Sequence, residues 1–98
     1  MNTRELLSRY QAGQRDFRNM NLIAADLRNL NLSGANFSGA NFTKANLTGT
    51  NLSRANLTAT VMTGAKLKKT NLTQANLTNV DLSGVDLEES LCQHTILP

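Results

Sequence analysis

The chain of 98 residues has no tryptophan and only four aromatic rings, Tyr10, Phe17, Phe37 and Phe42. Four rings cannot fill a conventional core, so the interior must be assembled from many small, regularly placed side chains. The single cysteine, Cys92, excludes an internal disulfide. Acid is missing from the whole stretch between Asp26 and Asp81, and base is missing from Asp81 to the end. No apolar run of secretory or membrane-spanning length follows Met1, so a soluble, cytoplasmic protein with no membrane partner is expected.

What is present is a beat of five. Phe17, Leu22, Leu27, Leu32, Phe37, Phe42, Leu47, Leu52, Leu57, Met62, Leu67, Leu72, Leu77, Leu82, Leu87, Cys92 and Leu97 form one apolar register without a charge. A period of five is neither the 3.6 of a helix nor the two of a strand. It belongs to a short unit that recurs and stacks on its own copies. Cys92 falls in this register and reads as a small buried hydrophobe.

Around each central apolar residue the unit is constant. Two residues earlier stands a small one, as in Ala35, Ala40, Ala45, Ala55, Ala65 and Ala75, or Thr50, Thr60 and Thr70, or Val80 and Val85. Directly before the centre comes Asn or Asp, and after it Ser or Thr, often followed by Gly. Residues two apart in an extended segment point to the same side, so the small and central residues face inward and the Asn or Asp faces outward. The Ser/Thr-Gly pair carries turn chemistry. Each unit is thus one extended edge plus a corner, and four right-angled corners close a square coil of twenty residues. Coils stacked at about 4.8 Å pair as parallel strands, and residues 17–97 give about four of them.

The run Ala35-Asn36-Phe37-Ser38-Gly39, Ala40-Asn41-Phe42-Thr43-Lys44, Ala45-Asn46-Leu47-Thr48-Gly49 resembles the A-(D/N)-L-x-x signature of pentapeptide-repeat proteins, and the likeness covers about four fifths of the chain. That resemblance implies an all-β solenoid, a right-handed quadrilateral parallel β-helix. The format, with a helix feeding directly into the repeats, is similar to small cyanobacterial members of the family.

The residues also predict that helix. Asn2 and Glu5 have capping-box spacing, Leu6, Leu7 and Tyr10 make an apolar stripe, and Gly13 is a stop. Arg15 occupies what would be an inward position, so the first coil is expected to be incomplete there and covered by the helix. The organisation expected is one structural domain, with residues 1–14 as a capping helix and 15–98 as the β-helix.

A twenty-residue coil sets Lys66, Lys68 and Lys69 beside Asp86, Glu88 and Glu89, and a ladder of ion pairs is expected there. The stacked columns Asn31, Asn51, Asn71 and Asn36, Asn56, Asn76 are read as holding the turns rather than a ligand. Two units lack the Asn or Asp, Thr60-Val61-Met62 and Ala65-Lys66-Leu67, so Val61 should project outward. Leu91 and Ile96 also take outward positions, and no helix follows them. An uncovered last coil invites pairing with a second copy, so a two-fold homodimer through the C-terminal coil is expected.

The residues point to no catalytic, cofactor-binding or metal-ligating site, and to no cofactor. The acids do not converge, and inward Cys92 with outward His94 makes no dyad. The chain is therefore read as a non-catalytic structural or interaction module with a protein partner. Nucleic acid is disfavoured as a partner, because the pairing of the lysines leaves no basic band and no aromatics interleave. Some longer pentapeptide-repeat proteins protect type II topoisomerases by resembling DNA. That alternative needs an acidic rod, and this chain is short with a net charge of +3.

Overall fold

The computed structural model describes residues 1–98, one helix followed by a stack of coils. Helix α1, Thr3–Gln11, begins where the sequence signals it. Asn2 caps it by accepting the Glu5 amide at 2.8 Å. The capping box is only half made, because the Glu5 carboxylate turns to Arg9 at 2.7 Å. Gly13 ends it with φ +102, while the Gly13 and Gln14 amides donate to the carbonyls of Tyr10 and Arg9. This is the glycine-dependent closure that satisfies carbonyls a helix end leaves open.

From Asp16 onward every backbone pairing is parallel and joins residues twenty apart, as in Asp16 with Asn36, Asn36 with Asn56, and Asn56 with Asn76. The sequence predicts paired strands; the structure has single-residue bridges, because each edge is only about two residues long before the next corner. The register is nonetheless complete at nearly every step. Leu22 donates to Asn41, Ala24 to Thr43, and Asn41 back to Met20, at 2.7–2.9 Å, and the same trio recurs face after face.

Two local devices make the corners. The carbonyl of most central residues, though not of Phe17, Leu27 or Cys92, accepts from the amide three residues on, as in Ala40 to Phe37 at 2.9 Å and Thr70 to Leu67 at 3.1 Å. The third residue of that turn has positive φ throughout, which is the type II pattern. Gly39 and Gly49 suit it, but Lys44, Arg54, Ala59, Lys69 and Glu89 adopt it too. An L-residue there costs roughly 1–2 kcal/mol, so the stacked neighbours must hold it. Second, the Asn or Asp before each centre accepts the amide two residues on, as in Asn36 to Ser38 and Asn56 to Thr58, both 3.0 Å. This is the expected holding role of the Asn columns.

The interior is a column of like on like. Phe17 stacks on Phe37 with ring centroids 5.4 Å apart, and Phe42 meets Phe37 edge-on at 5.3 Å. The central residues from Phe17 to Leu77 are all buried, with Ala35, Ala40, Ala45, Ala55, Ala65 and Ala75 beside them. Thr50 and Thr70 are buried as well, and each hydroxyl donates to a carbonyl of the preceding coil, Leu27 and Leu47 respectively.

One stretch departs from the register. Between residues 60–65 and 81–86 four ladder bonds are missing: Met62 to Asp81, Gly64 to Ser83, Asp81 to Thr60 and Asp86 to Ala65. Pairing is regained at Leu67 to Asp86, 3.0 Å, and Lys69 to Glu88, 2.9 Å. The buried Thr60 hydroxyl, at the edge of this stretch, has no hydrogen-bond partner.

Helix α1 lies across the first coil. Leu6 is fully buried in the common core, and Tyr10 and Met1 pack against it. Three side chains donate to carbonyls of that coil: Thr3 to Asp26 at 2.8 Å, Tyr10 to Ser33 at 2.7 Å and Gln14 to Asp16 at 2.8 Å. Arg15 indeed avoids the interior; its guanidinium sits 3.7 Å from the Tyr10 ring centroid and donates to the carbonyls of Tyr10 and Gln14. Leu6→Ala should cost about 2–5 kcal/mol in urea denaturation. Leu7→Ala, at a half-buried position outside the core cluster, should cost much less.

Candidate interaction surface

With the centres turned inward, chemistry is carried by the residues before and after each centre, on four outer faces. The third face, residues 26–29, 46–49, 66–69 and 86–89, was the place for an ion-pair ladder. The backbone brings the two rows together, with Lys66 bridged to Asp86. The side chains do not follow, and no lysine of this row meets a carboxylate. The three ion pairs of the chain are Arg9–Glu5, Arg18–Asp16 and Arg28–Asp26. Asp86 instead accepts the Glu88 amide at 2.9 Å. The turn claims this carboxylate first, and ordering long exposed lysines against it gains little. The lysine row therefore stays solvated above an acidic row.

The pairs that do form lie within one edge. Asp26 accepts from Arg28 Nε at 2.8 Å and Nη2 at 2.9 Å, a bidentate grip, and Asp16 binds Arg18 in the same way. Hydrogen bonding from the Arg28 side chain, then from its backbone amide, holds the Asp26 carboxyl down to about 2. The Asp16 carboxyl is lowered by the same partners from Arg18. Asp81 is lowered by hydrogen bonds from Ser83.

The second face, residues 21–24, 41–44, 61–64 and 81–84, carries Ile23 and Val61, both exposed, and Lys44. Val61 projects as expected. Three of the four missing ladder bonds lie along this face, and the fourth, from Asp86, lies just beyond it.

The last coil corrects the reading of Cys92. Its thiol is exposed rather than a buried spacer. Leu97 is 52 % exposed, and Leu82 and Leu87 are only half-buried. Central residues are buried from both sides by neighbouring coils, and these have a neighbour on one side only. Leu91 and Ile96 are exposed at 59 % and 53 %. No group of three or more His, Cys, Asp or Glu side chains is placed to hold a metal ion, and there is no ligand-sized pocket. No helix is long and apolar enough to cross a membrane.

Parallel pairing at a spacing of twenty, a turn every five residues and an interior of stacked centres define a repeat solenoid. The family model described as Pentapeptide repeats matches eight copies over residues 21–58 and 55–91, and the chain belongs to that family. Membership implies a right-handed quadrilateral β-helix. Among solved structures, the chain is similar to HetL from the cyanobacterium Nostoc sp. strain PCC 7120, a pentapeptide repeat protein involved in heterocyst differentiation regulation, at 34% identity and a TM-score of 0.54. The match covers 90% of this chain and 48% of HetL, so the chain spans about half the length of that relative. It is also similar to alr5209, a pentapeptide repeat protein from Nostoc PCC 7120, at 32% identity and a TM-score of 0.58, over 98% of this chain and 75% of the other. A comparison with curated proteins gives no match.

Two tests address the charges. The Asp26 carboxyl lies below its ordinary value, so its ion pair stabilises the fold above that value and the contribution disappears as pH falls from about 4 to about 2. Asp26→Asn should flatten that part of the acid-denaturation curve. Replacing Lys66, Lys68 and Lys69 together by Ala should leave the thermal midpoint nearly unchanged, which differential scanning calorimetry checks.

Proposed function

We propose that this chain is a non-catalytic interaction module whose outer faces are read by a protein partner. The observation that carries this reading is the division of labour in the repeat. The centres and small corner residues are committed to the interior, and the Asn and Asp side chains to the turns, which leaves scattered outward residues as the variable chemistry. Relationship to HetL favours a regulatory setting over an enzymatic one. A cytoplasmic location is in keeping with an exposed free thiol at Cys92.

In this reading helix α1 is a cap: it shields the first coil and occupies carbonyls that would otherwise template another chain. On the last coil, exposed Leu91, Ile96 and Leu97 favour a second copy docking there. Because α1 covers the other end, such docking closes as a two-fold pair rather than a fibre. The topoisomerase-protecting alternative is disfavoured by the lysine row and by the lack of acid on the middle coils.

The module reading is tested by affinity capture from the native host with variants altered on one outer face at a time. One face variant should lose a partner while keeping its thermal midpoint; equal capture by every face variant would overturn the reading. Sedimentation equilibrium should give a dimer that Leu91→Asp with Leu97→Asp converts to monomer. Addition to a gyrase supercoiling assay should change nothing.

A further inference from the structure

The four missing ladder bonds are consecutive, and both ends of the gap are marked. The edge that lacks them runs from Val80 to Val85, and these are the only valines in the inward corner register. Elsewhere in the repeats that register holds Ala, Thr or Ser, except where Arg15, Met20 and Leu30 stand at the first coil. Met20 and Leu30 lie in the first coil, which is covered by helix α1 rather than by a preceding coil, and their ladder to the second coil is intact, with Asn41 donating to Met20 at 2.9 Å and Asn51 to Leu30 at 2.8 Å. Val80 and Val85 face the third coil, and each carries two methyls on Cβ with a restricted χ1.

Threonine at the same register measures the space. The hydroxyl of Thr70 lies 2.8 Å from the Leu47 carbonyl oxygen of the preceding coil, and that of Thr95 lies 2.5 Å from Leu72. The corresponding carbonyls for Val80 and Val85 are those of Leu57 and Met62. A methyl carbon comes no closer to a carbonyl oxygen than about 3.3 Å. A valine methyl in the hydroxyl's place must therefore push the coils apart by roughly half an ångström or more. Bonds of 2.7–3.0 Å, the usual ladder length here, do not survive that displacement with good geometry.

We propose that residues 80–86 form a flap, a built-in joint at which the fourth coil opens from the third. Val80 and Val85 act as wedges. The flap is held on both sides, by Leu57 to Asn76 and Ala59 to Thr78 before it, and by Lys69 to Glu88 and Leu72 to Leu91 after it. Opening therefore moves one edge and leaves the coil attached. What it uncovers is the Met62 side chain with its free amide, and the buried Thr60 hydroxyl that has no partner when closed; the Gly64 amide, on an exposed residue, is free as well. Exposed Val61 lies on the facing edge of the third coil, where, as at Lys66, the Asn or Asp that braces most turns is absent. Water can reach the buried Met62 amide and the buried Thr60 hydroxyl only when the flap is open, which lowers the work of opening relative to any other edge.

Native-state hydrogen exchange on the full chain, followed residue by residue by NMR, tests the flap. The Met62 and Gly64 amides should exchange at least about tenfold faster than Phe42 and Lys44, which occupy the same face one coil earlier. In Val80→Thr with Val85→Ala, exchange at Met62 and Gly64 should slow toward the Phe42 and Lys44 rates. Equal exchange at the two levels in the natural chain overturns the flap. Fast exchange that the double variant leaves unchanged overturns the valine wedges. Should the double variant fail to fold, Val85→Ala alone supplies the comparison at Gly64.

Discussion

A coil of twenty residues returns the chain to the same azimuth, so each side chain lies over its own counterpart one turn earlier. That closure is the constraint on which the rest of the molecule depends. It makes the hydrogen-bond ladder possible with edges too short to be strands, since each edge is paired above and below rather than along its length. It also converts a single apolar position per unit into a continuous core, with Phe17 over Phe37 and leucine over leucine below them. Neither ladder nor core exists in one unit alone, which is why stability in such folds resides in the contacts between coils.

The closure has a local cost. Every unit must turn a corner through a residue at positive φ, and most of those residues are not glycine. The strain is tolerated because the turn bond, the Asn or Asp grip on the following amide and the ladder above and below all fix the same backbone atoms. Where one support is weakened, the others are tested. At Val61 the Asn is replaced, at Thr60 a hydroxyl is left alone, and at Val80 and Val85 the inward corner is overfilled; there the ladder lapses. The regular coils and the irregular one thus obey the same balance, with its sign altered by a few methyl groups.

Much of this was legible in the residues. The five-residue beat predicts the coil, the stacking, the inward and outward faces and the role of the Asn columns, because each follows from a fixed spacing. The helix could be read from Asn2, Leu6, Tyr10 and Gly13. Three features could not. The corners at Lys44, Arg54 and Glu89 carry no glycine to announce a positive φ, so only their place in the coil imposes it. The lysine and acid rows were correctly placed by register, but register fixes Cα positions and not where a flexible side chain comes to rest. Cys92 lies in the buried register and is exposed, since burial requires cover on both sides, by a coil or by α1, and the register cannot say which coils have it.

The surface shows the same division more sharply than the core. Sequence alone determined that the chain is a pentapeptide-repeat solenoid, that a helix precedes it, and that Val61 and Leu91 point outward. These follow from periodicity, a property that short-range geometry copies from unit to unit. Only the tertiary structure decided which charges pair, which central residues lack cover and where the ladder lapses. Those outcomes depend on sub-ångström fit between coils twenty residues apart, and a repeat that is uniform in pattern is not uniform in fit.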